Sequence, residues 1–167
     1  MTRRGSGVQI PHGPPVGLLD KGLVIQSGMT QTFLWPTLRS HNARALIDFL
    51  IEAFGFVEKF VVTNEDGTEI VHAQLLWPLG GGVMLGDIDM HTERVDSSGR
   101  GSFDDIAPPG PVSIYVVTGG PDDLHDRAVE AGAEIVLPLF DEEYGSRGFS
   151  CKDIDGNLWS FGTYSGE

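Results

Sequence analysis

The chain has 167 residues, of which 40% are hydrophobic and 21% charged, and its formal net charge is −13 at pH 7. This composition is ordinary for one globular domain with a core, whereas the charge opposes binding to nucleic acids and to anionic membranes. Cys151 is the single cysteine, which excludes a disulfide framework and a thiolate metal cluster. No apolar run is long enough to span a bilayer, so we expect a cytoplasmic protein. Because of its negative charge we expect no nucleic-acid or membrane partners.

The segment 1–28 differs from the rest of the chain. Gly and Pro recur in it at close intervals, and no helical or strand period persists. Its weakly apolar piece, 16–25, is interrupted by glycines and charges, which argues against a secretory signal. We therefore expect 1–28 to be disordered or a misassigned extension ahead of a start at Met29, and 29–167 to form a single domain.

From Met29 onward the patterns predict two similar modules, 32–87 and 112–164. Apolar residues recur at helical spacing from Ala43 to Phe54, and Gly55 ends that helix. A second helix begins at Pro121, where a first turn tolerates proline. The predicted elements are strand 32–39, helix 42–54 and strands 56–63, 69–77 and 83–87, then strand 112–118, helix 121–131 and strands 134–139, 147–152 and 158–164.

The stretch YGSRGFSCKDIDGNLWSFGTY, Tyr144 to Tyr164, reads as a strand, a tight turn and a strand. Together with the order β-α-β-β-β in both modules and the helix ends EAFGF and EAGAE, it resembles the vicinal oxygen chelate superfamily. That superfamily includes glyoxalase I, extradiol dioxygenases and bleomycin-binding resistance proteins. The resemblance covers Thr32 to Tyr164. It implies an α+β fold whose two modules form a curled mixed sheet around a ligand-holding cup, with helices outside, and a homodimer.

The resemblance also indicates where metalloenzymes of this superfamily place their His and Glu ligands. By strand position these places fall on Trp35, Leu85, Val112 and Phe161. None of these side chains binds a metal, and their immediate neighbours include no His or carboxylate. The sequence therefore predicts no metal and no cofactor, which is similar to the metal-free binding branch of the superfamily.

An apolar, aromatic cup follows from this interpretation. Trp35, Trp159 and Phe161 are expected to share one ligand-facing wall with Leu85, where planar ligand groups stack on the rings. Core packing is the competing interpretation for each ring. Trp77 ends its strand and is expected at the rim.

Polar candidates come from alternation along the strands. Ala73 and Leu75 form an apolar face of their strand, so His72 and Gln74 are expected to enter the cup from the opposite face. Arg147 is a candidate anchor for a ligand carboxylate, with pairing to the acids at 141–143 as the alternative. Asp87, Asp89 and His91 alternate in GDIDMH, and a solvated strand exit is favoured there over a metal site.

Two functions of different classes remain open. The first is a metal-independent protein that binds and sequesters a cationic or aromatic small molecule. The alternative is a metal-independent or atypical-metal lyase or isomerase that acts through His72, Tyr115 or Arg147. The absence of the expected metal ligands favours binding, and the identity of the ligand is not readable from the sequence.

Overall fold

A computed structural model describes residues 34–88 and 110–166, together with the backbone of two short N-terminal strands. Those strands, β1 (Gly17–Leu18) and β2 (Val24–Ile25), pair antiparallel within a unit that spans Met1–Phe33. The second unit is Leu34–Glu167 and contains every other element. The expectation for 1–28 stays a prediction, to be tested by comparing the melting temperature of a chain that starts at Met29 with that of the full chain.

The second unit repeats the order β-α-β-β-β, and the predicted α+β fold with two modules is confirmed. Most element boundaries differ from the predicted ones by a few residues. The first strand begins at Thr37 and is shorter than the predicted strand 32–39. The elements are β3 (Thr37–Ser40), α1 (Ala43–Phe49), β4 (Val57–Thr63), β5 (Ile70–Leu76), β6 (Gly82–Asp87), β7 (Ser113–Val117), α2 (Pro121–Glu130), β8 (Glu134–Asp141), β9 (Arg147–Lys152) and β10 (Leu158–Gly162).

Each module forms a four-stranded mixed sheet, and the two sheets have the same topology. The strand orders are β3-β6-β5-β4 and β7-β10-β9-β8. The first strand of each module runs parallel to the last, and the other neighbours are antiparallel. Strands β3 and β7 are therefore edge strands of their sheets.

The first helix is fixed at both ends by local interactions. Asn42 precedes it, and its side-chain oxygen accepts a hydrogen bond from the Ala45 N–H at 3.1 Å, which satisfies one free helical donor. After Phe49 the helix widens into a π-helical turn at Leu50–Phe54. Gly55 ends it with a φ of 81°, a left-handed conformation that favours glycine.

The two modules are joined through their helices. The Arg127 guanidinium of α2 donates to the carbonyl oxygens of Ile51 at 3.3 Å and Glu52 at 2.8 Å, in the last turn of the first helix. A cation at that position also interacts favourably with the negative end of the helix dipole. Because Arg127 belongs to the second module and both carbonyls to the first, these bonds hold the modules together.

One hydrophobic core runs through both modules. Each sheet turns one face toward this core and leaves the other, which we call its open face, outside it. Across the first sheet the core face carries Leu38, Leu85 and Ala73, whereas the open face carries Thr37, Met84, Gln74 and Phe60 in register. Across the second sheet the core face carries Val116, Phe161 and Phe149, and the open face carries Tyr115, Ser160 and Ser150.

Within the part of the chain that the structure describes, no helix is both long and apolar enough to cross a membrane.

Candidate functional site

The closing hairpin is organised by one buried carboxylate. Asp153 Oδ1 accepts hydrogen bonds from the backbone N–H groups of Asp155 and Asn157, at 2.9 and 3.0 Å. Its Oδ2 accepts from Asn157 Nδ2 and from the Trp159 indole N–H, both at 2.9 Å. The sequence DIDGNLW is therefore a structural turn whose aspartate holds the tryptophan of the following strand.

Trp159, Phe161 and Leu85 lie on the core faces of their sheets and are only 0%, 1% and 1% exposed, so they form no open wall. Their expected role in ligand binding stays a prediction, and Trp159 still borders the cleft described below. The ring of Phe54, from the π-helical turn, packs on Trp159 at 5.3 Å and on Phe161 at 4.8 Å between centroids. The two rings do share one strand face, as alternation predicted, but that face meets the helix of the other module.

A concave feature of the described residues lies beside the edge strand β7 and borders β3 at Thr37. It is a cleft of ≈ 760 Å³. Strand β7 contributes all of its residues, 113–117, and the glycine turn 80–82 lies on the side of the first module. Side chains of both sheets and of the turns line it: Leu34, Pro36, Thr37, Phe56, Trp77, Leu79, Val83, Val112, Ser113, Ile114, Tyr115, Val116, Val117, Trp159 and Ser165.

Trp77 is the half-buried tryptophan of this cleft. Its ring lies 5.2 Å from that of Phe56 and 6.2 Å from that of Phe161. Its indole nitrogen is buried, and no acceptor within the described residues bonds it. A buried donor without an acceptor costs about 1–3 kcal/mol, so a ligand acceptor that reached this N–H after a turn of the indole ring would be favoured.

Strand β7 lines the cleft along its whole length. Tyr115 extends over Gly162 of the neighbouring strand, where a Cβ would stand 2.6 Å from the tyrosine hydroxyl. A larger residue at 162 would therefore displace the exposed end of that side chain. Trp159, although closed to solvent, forms part of the cleft floor. The cleft lining therefore includes the aromatic residues Phe56, Trp77, Tyr115 and Trp159.

The expected binding residues are not brought together at this cleft. Trp35 is half-buried and packs against Gly82, which lines the cleft, but it is not itself a lining residue. His72 and Gln74 do occupy the open face of the first sheet, as alternation predicted. The ring centroids of His72 and Phe60 are 5.5 Å apart. Neither of them lines the cleft.

Arg147 is engaged by two carboxylates. Its Nε and Nη2 donate to Asp122 at 2.9 and 2.8 Å, and its Nη1 donates to Asp141 at 3.0 Å. These bonds raise the pKa of Arg147, and the bonded guanidinium lowers the pKa of Asp122. The alternative pairing with nearby acids is therefore confirmed for Asp141. Binding of a ligand carboxylate by Arg147 remains a prediction.

The donor atoms that face outward do not fit a His and carboxylate metal centre. On β3 and β6 of the first sheet and β7 and β10 of the second, the open faces present Thr37, Met84, Tyr115 and Ser160. The residues that the structure describes include no cluster of three or more His, Cys, Asp or Glu side chains able to hold a metal ion.

Asp87 of GDIDMH is held by the backbone. Its Oδ1 accepts from the Ala43 N–H and its Oδ2 from the Ile70 N–H, both at 2.7 Å. The carboxylate therefore connects the start of α1 to the start of β5, which explains why an acid stands at this strand end. Asp89 and His91 lie outside the described residues.

Cys151 lies on the core face of β9 and is fully buried. Burial, assisted by the charge of Asp153, raises the pKa of its thiol to about 12. The thiol is protonated at physiological pH, so Cys151 behaves as a small apolar core residue.

Phe56 and Leu79 are among the lining residues that alternation along single strands did not identify. Phe56 was expected inside the strand 56–63 but lies just before β4, and Leu79 lies after the end of β5. The available signal was the glycine run after Trp77 in WPLGGG, because glycine at a strand often marks a place where a ligand or another backbone segment approaches closely.

Three comparisons relate the chain to known proteins. The model of the Glyoxalase/Bleomycin resistance protein/Dioxygenase superfamily matches residues 32–161. Uncharacterized protein Rv0887c of Mycobacterium tuberculosis is 34% identical over 156 residues, covering 90% of this chain and 85% of that protein. The crystal structure of TioX from Micromonospora sp. ML1 has a TM-score of 0.60 and 27% identity, covering 79% of this chain and 98% of TioX.

A Sphaerobacter thermophilus member of the same superfamily has a TM-score of 0.56 at 20% identity, with coverages of 79% and 97%. At that identity the similarity shows the fold alone.

Proposed function

The chain belongs to the glyoxalase/bleomycin resistance protein/dioxygenase superfamily, and from this premise we propose that it binds a planar aromatic small molecule and sequesters it without a metal ion. The binding site in this proposal is the cleft between β3 and β7. The observation that carries it is the half-buried Trp77 in the cleft wall, with its buried and unbonded N–H.

The size and lining of the cleft support a small-molecule ligand. Its volume of ≈ 760 Å³ lies within the usual range for ligand pockets, about 300–1,000 Å³. Ligand pockets are largely apolar with a few polar groups that fix orientation, and here Phe56, Trp77 and Leu79 accompany Ser113 and Tyr115. In this proposal a planar ring packs against the aromatic lining, and a carbonyl on that ring accepts from Trp77 once the indole turns toward the ligand.

Charge supports a ligand that is neutral or cationic. The net charge of −13 attracts cations and repels anions at long range. We therefore propose a cationic or aromatic ligand, and we propose the cytoplasm as its location because a single buried cysteine gives no reason for an oxidising compartment.

Sequestration is favoured over catalysis because the candidate catalytic groups do not share a site. Tyr115 lines the cleft, whereas His72 and Arg147 do not. Arg147 already donates to two carboxylates. Lyase or isomerase chemistry needs a base and a second polar group at the same reacting atom, and no observation favours such a pair here.

We further propose that the protein is a homodimer that associates through β8, an outer strand of the second sheet. This edge strand carries the exposed large apolar side chains Val136 and Leu137. Contiguous exposed apolar surface commonly marks a protein interface. Sedimentation equilibrium would give twice the chain mass, and a concentration-independent monomer would contradict the dimer.

The proposed function is tested by calorimetric titration with two planar probes. Coumarin is a neutral lactone with a carbonyl acceptor, and proflavine is a planar cation. Both are expected to bind the native chain, with proflavine tighter and more sensitive to salt. Trp77→Phe, which keeps a ring but removes the N–H, should weaken coumarin about tenfold, since one buried hydrogen bond is lost.

Phe60→Ala is the matched control, because this exposed aromatic lies on the open face of the first sheet and does not line the cleft. It should bind both probes like the native chain. Failure of both probes to bind at millimolar concentration, or unchanged binding by Trp77→Phe and Trp77→Ala, would overturn the proposal.

A further inference from the structure

The three tyrosines of the chain, Tyr115, Tyr144 and Tyr164, all belong to the second module, and Tyr144 interacts electrostatically with both of the others. They come from three separate segments: strand β7, the turn between β8 and β9, and the chain after β10. Tyr144 and Tyr164 pack edge to face, with centroids 5.9 Å apart and planes at 74°. Tyr115 extends over Gly162, two residues before Tyr164.

These rings are exposed to an unusual degree for large aromatic side chains. Their relative exposures are 51% for Tyr115, 67% for Tyr144 and 44% for Tyr164. Single exposed aromatics need no explanation, but three that converge from separate segments form a surface that a partner can use. The pKa of Tyr144 is raised. The largest cause is partial burial, and the charge of Glu142 and the interaction with Tyr115 contribute less. The phenol is therefore neutral at physiological pH.

A carboxylate accompanies the rings. Glu142 precedes Tyr144 by two residues and is half-buried, in the turn closed by the hydrogen bond from the Gly145 N–H to the Glu142 carbonyl at 2.9 Å. Its neighbour Asp141 is paired with Arg147, whereas no Lys or Arg of the described chain pairs with Glu142. Glu142 interacts with Tyr144 by charge and by a side-chain hydrogen bond, which places its negative charge beside that ring, where a cation from outside can approach.

We propose that Tyr115, Tyr144, Tyr164 and Glu142 form a site for an alkylated ammonium group, which we call the tyrosine cage. Aromatic faces carry negative electrostatic potential, and alkylated ammonium ions bind to them because they are weakly hydrated. A carboxylate at the side adds attraction without demanding a hydrogen-bond donor, which a quaternary ammonium lacks. The cage selects this cation class over a primary amine of equal charge.

The cage adjoins the cleft. Tyr115 lines the cleft, and Ser165, the residue after Tyr164, lines it too. A ligand with its planar part beside Trp77 can therefore extend an ammonium group toward the tyrosines. This inference rests on the proposed function, because it names the polar group of the ligand that the cleft binds.

The test uses choline and its neutral isostere 3,3-dimethyl-1-butanol, with ligand-observed NMR and calorimetric titration on the full chain. Choline is expected to bind at least about tenfold more tightly than the isostere, since only the cation interacts with the ring faces. Tyr144→Leu and Tyr164→Leu should each weaken choline about fivefold. Tyr144→Phe should stay within about twofold, because the ring face is retained. Phe60→Leu, an exposed aromatic of the first sheet, should bind choline like the native chain.

Equal affinity for choline and its isostere would overturn the cage, as would unchanged choline binding by both leucine variants when thermal melts show them folded. Coumarin separates this failure from that of the proposed function, since it carries no charge. If coumarin still binds in a Trp77-dependent manner while choline does not, the cage is wrong and the cleft stands. Tyrosine-dependent retention on phosphatidylcholine vesicles without binding of free choline would overturn a small-molecule ligand for the cage.

Discussion

The indole N–H of Trp159 donates a hydrogen bond to Asp153 Oδ2 at 2.9 Å, and both residues are buried. The same oxygen accepts from Asn157 Nδ2, so one carboxylate fixes the turn and the strand that follows it. The Asn157 side chain continues the connection, because its Oδ1 accepts from the Val112 N–H at 3.1 Å. Hydrogen bonds therefore connect this turn to Trp159 on β10 and to Val112 just before β7, and in this way the turn stabilises the second module.

Removing the carboxylate should destabilise the fold strongly. Asp153→Ala leaves the Trp159 indole N–H and the Asn157 amide without an acceptor, and each stranded buried donor costs about 1–3 kcal/mol. We expect a loss of about 2–4 kcal/mol in the free energy of unfolding, measured by urea titration. Ile154→Ala, at an exposed position of the same turn, should change it by less than about 0.5 kcal/mol. Equal stability of the two variants would contradict this role of Asp153.

Trp159 should behave as a core residue. Trp159→Ala is expected to cost about 3–5 kcal/mol, since the ring is fully buried against Phe54 and Phe56. Trp159→Phe should cost less, because a ring remains while the hydrogen bond to Asp153 is lost. Tyr144→Ala serves as the control at an exposed aromatic and should be nearly neutral. A loss below about 2 kcal/mol for Trp159→Ala would indicate that its ring faces solvent or ligand instead.

The fold was predictable because local signals agreed with one another. Helix spacing before Gly55, proline at the start of α2 and the turn residues of DIDGN placed the elements of both modules within a few residues of their observed ends. Strand alternation could not predict which face of each strand meets the core. It grouped Trp159 with Phe161 correctly, but both faces of a strand can be apolar, and only tertiary contacts distinguish them.

The candidate site was harder to predict for the same reason. Phe54 reaches the second sheet from a π-helical turn of the first module, a long-range contact that no local pattern encodes. The cleft is formed where two edge strands approach, so its lining combines strand residues such as Tyr115 with turn residues such as Leu79. The sequence predicted Trp77 as a rim residue but did not predict most of the residues that line the cleft with it.

The ion pair of Arg147 with Asp122 should be visible in the pH titration of the carboxyl. Arg147→Gln removes the guanidinium that lowers the pKa of Asp122, so that pKa should rise toward its ordinary value, as followed by carboxyl-carbon NMR. Because the folded-state pKa of Asp122 is depressed, the pair stabilises the fold above the unfolded-state pKa. That contribution is lost as the pH falls through the folded-state pKa.

Thermal melts should therefore separate the native chain from Arg147→Gln at neutral pH and converge at acidic pH. Both groups are partly exposed, so the difference should be small and should decrease with added salt. An unchanged pKa of Asp122 in the variant would contradict the ion pair.

The Cys151 thiol should be inert in the native chain. Its pKa is raised to about 12, so almost no thiolate forms at pH values where alkylating reagents are used. We expect iodoacetamide to label Cys151 far more slowly in buffer than in denaturing urea, as quantified by intact mass. The raised pKa stabilises the fold below the unfolded-state pKa of the thiol, and this contribution declines as the pH rises toward about 12. Similar labelling rates in both solvents would show that the thiol is accessible.

The most direct test of ligand binding in the cleft is the indole region of a nitrogen-correlated NMR spectrum during titration with coumarin. The chain has three tryptophans, so three indole N–H signals are expected and can be assigned with Trp35→Phe and Trp77→Phe. We expect the Trp77 signal to move downfield because its N–H gains an acceptor. The signal of Trp159, whose N–H already donates to Asp153, should change least. A saturable shift at Trp35 or Trp159 with none at Trp77, or no saturable shift at all, would contradict the account.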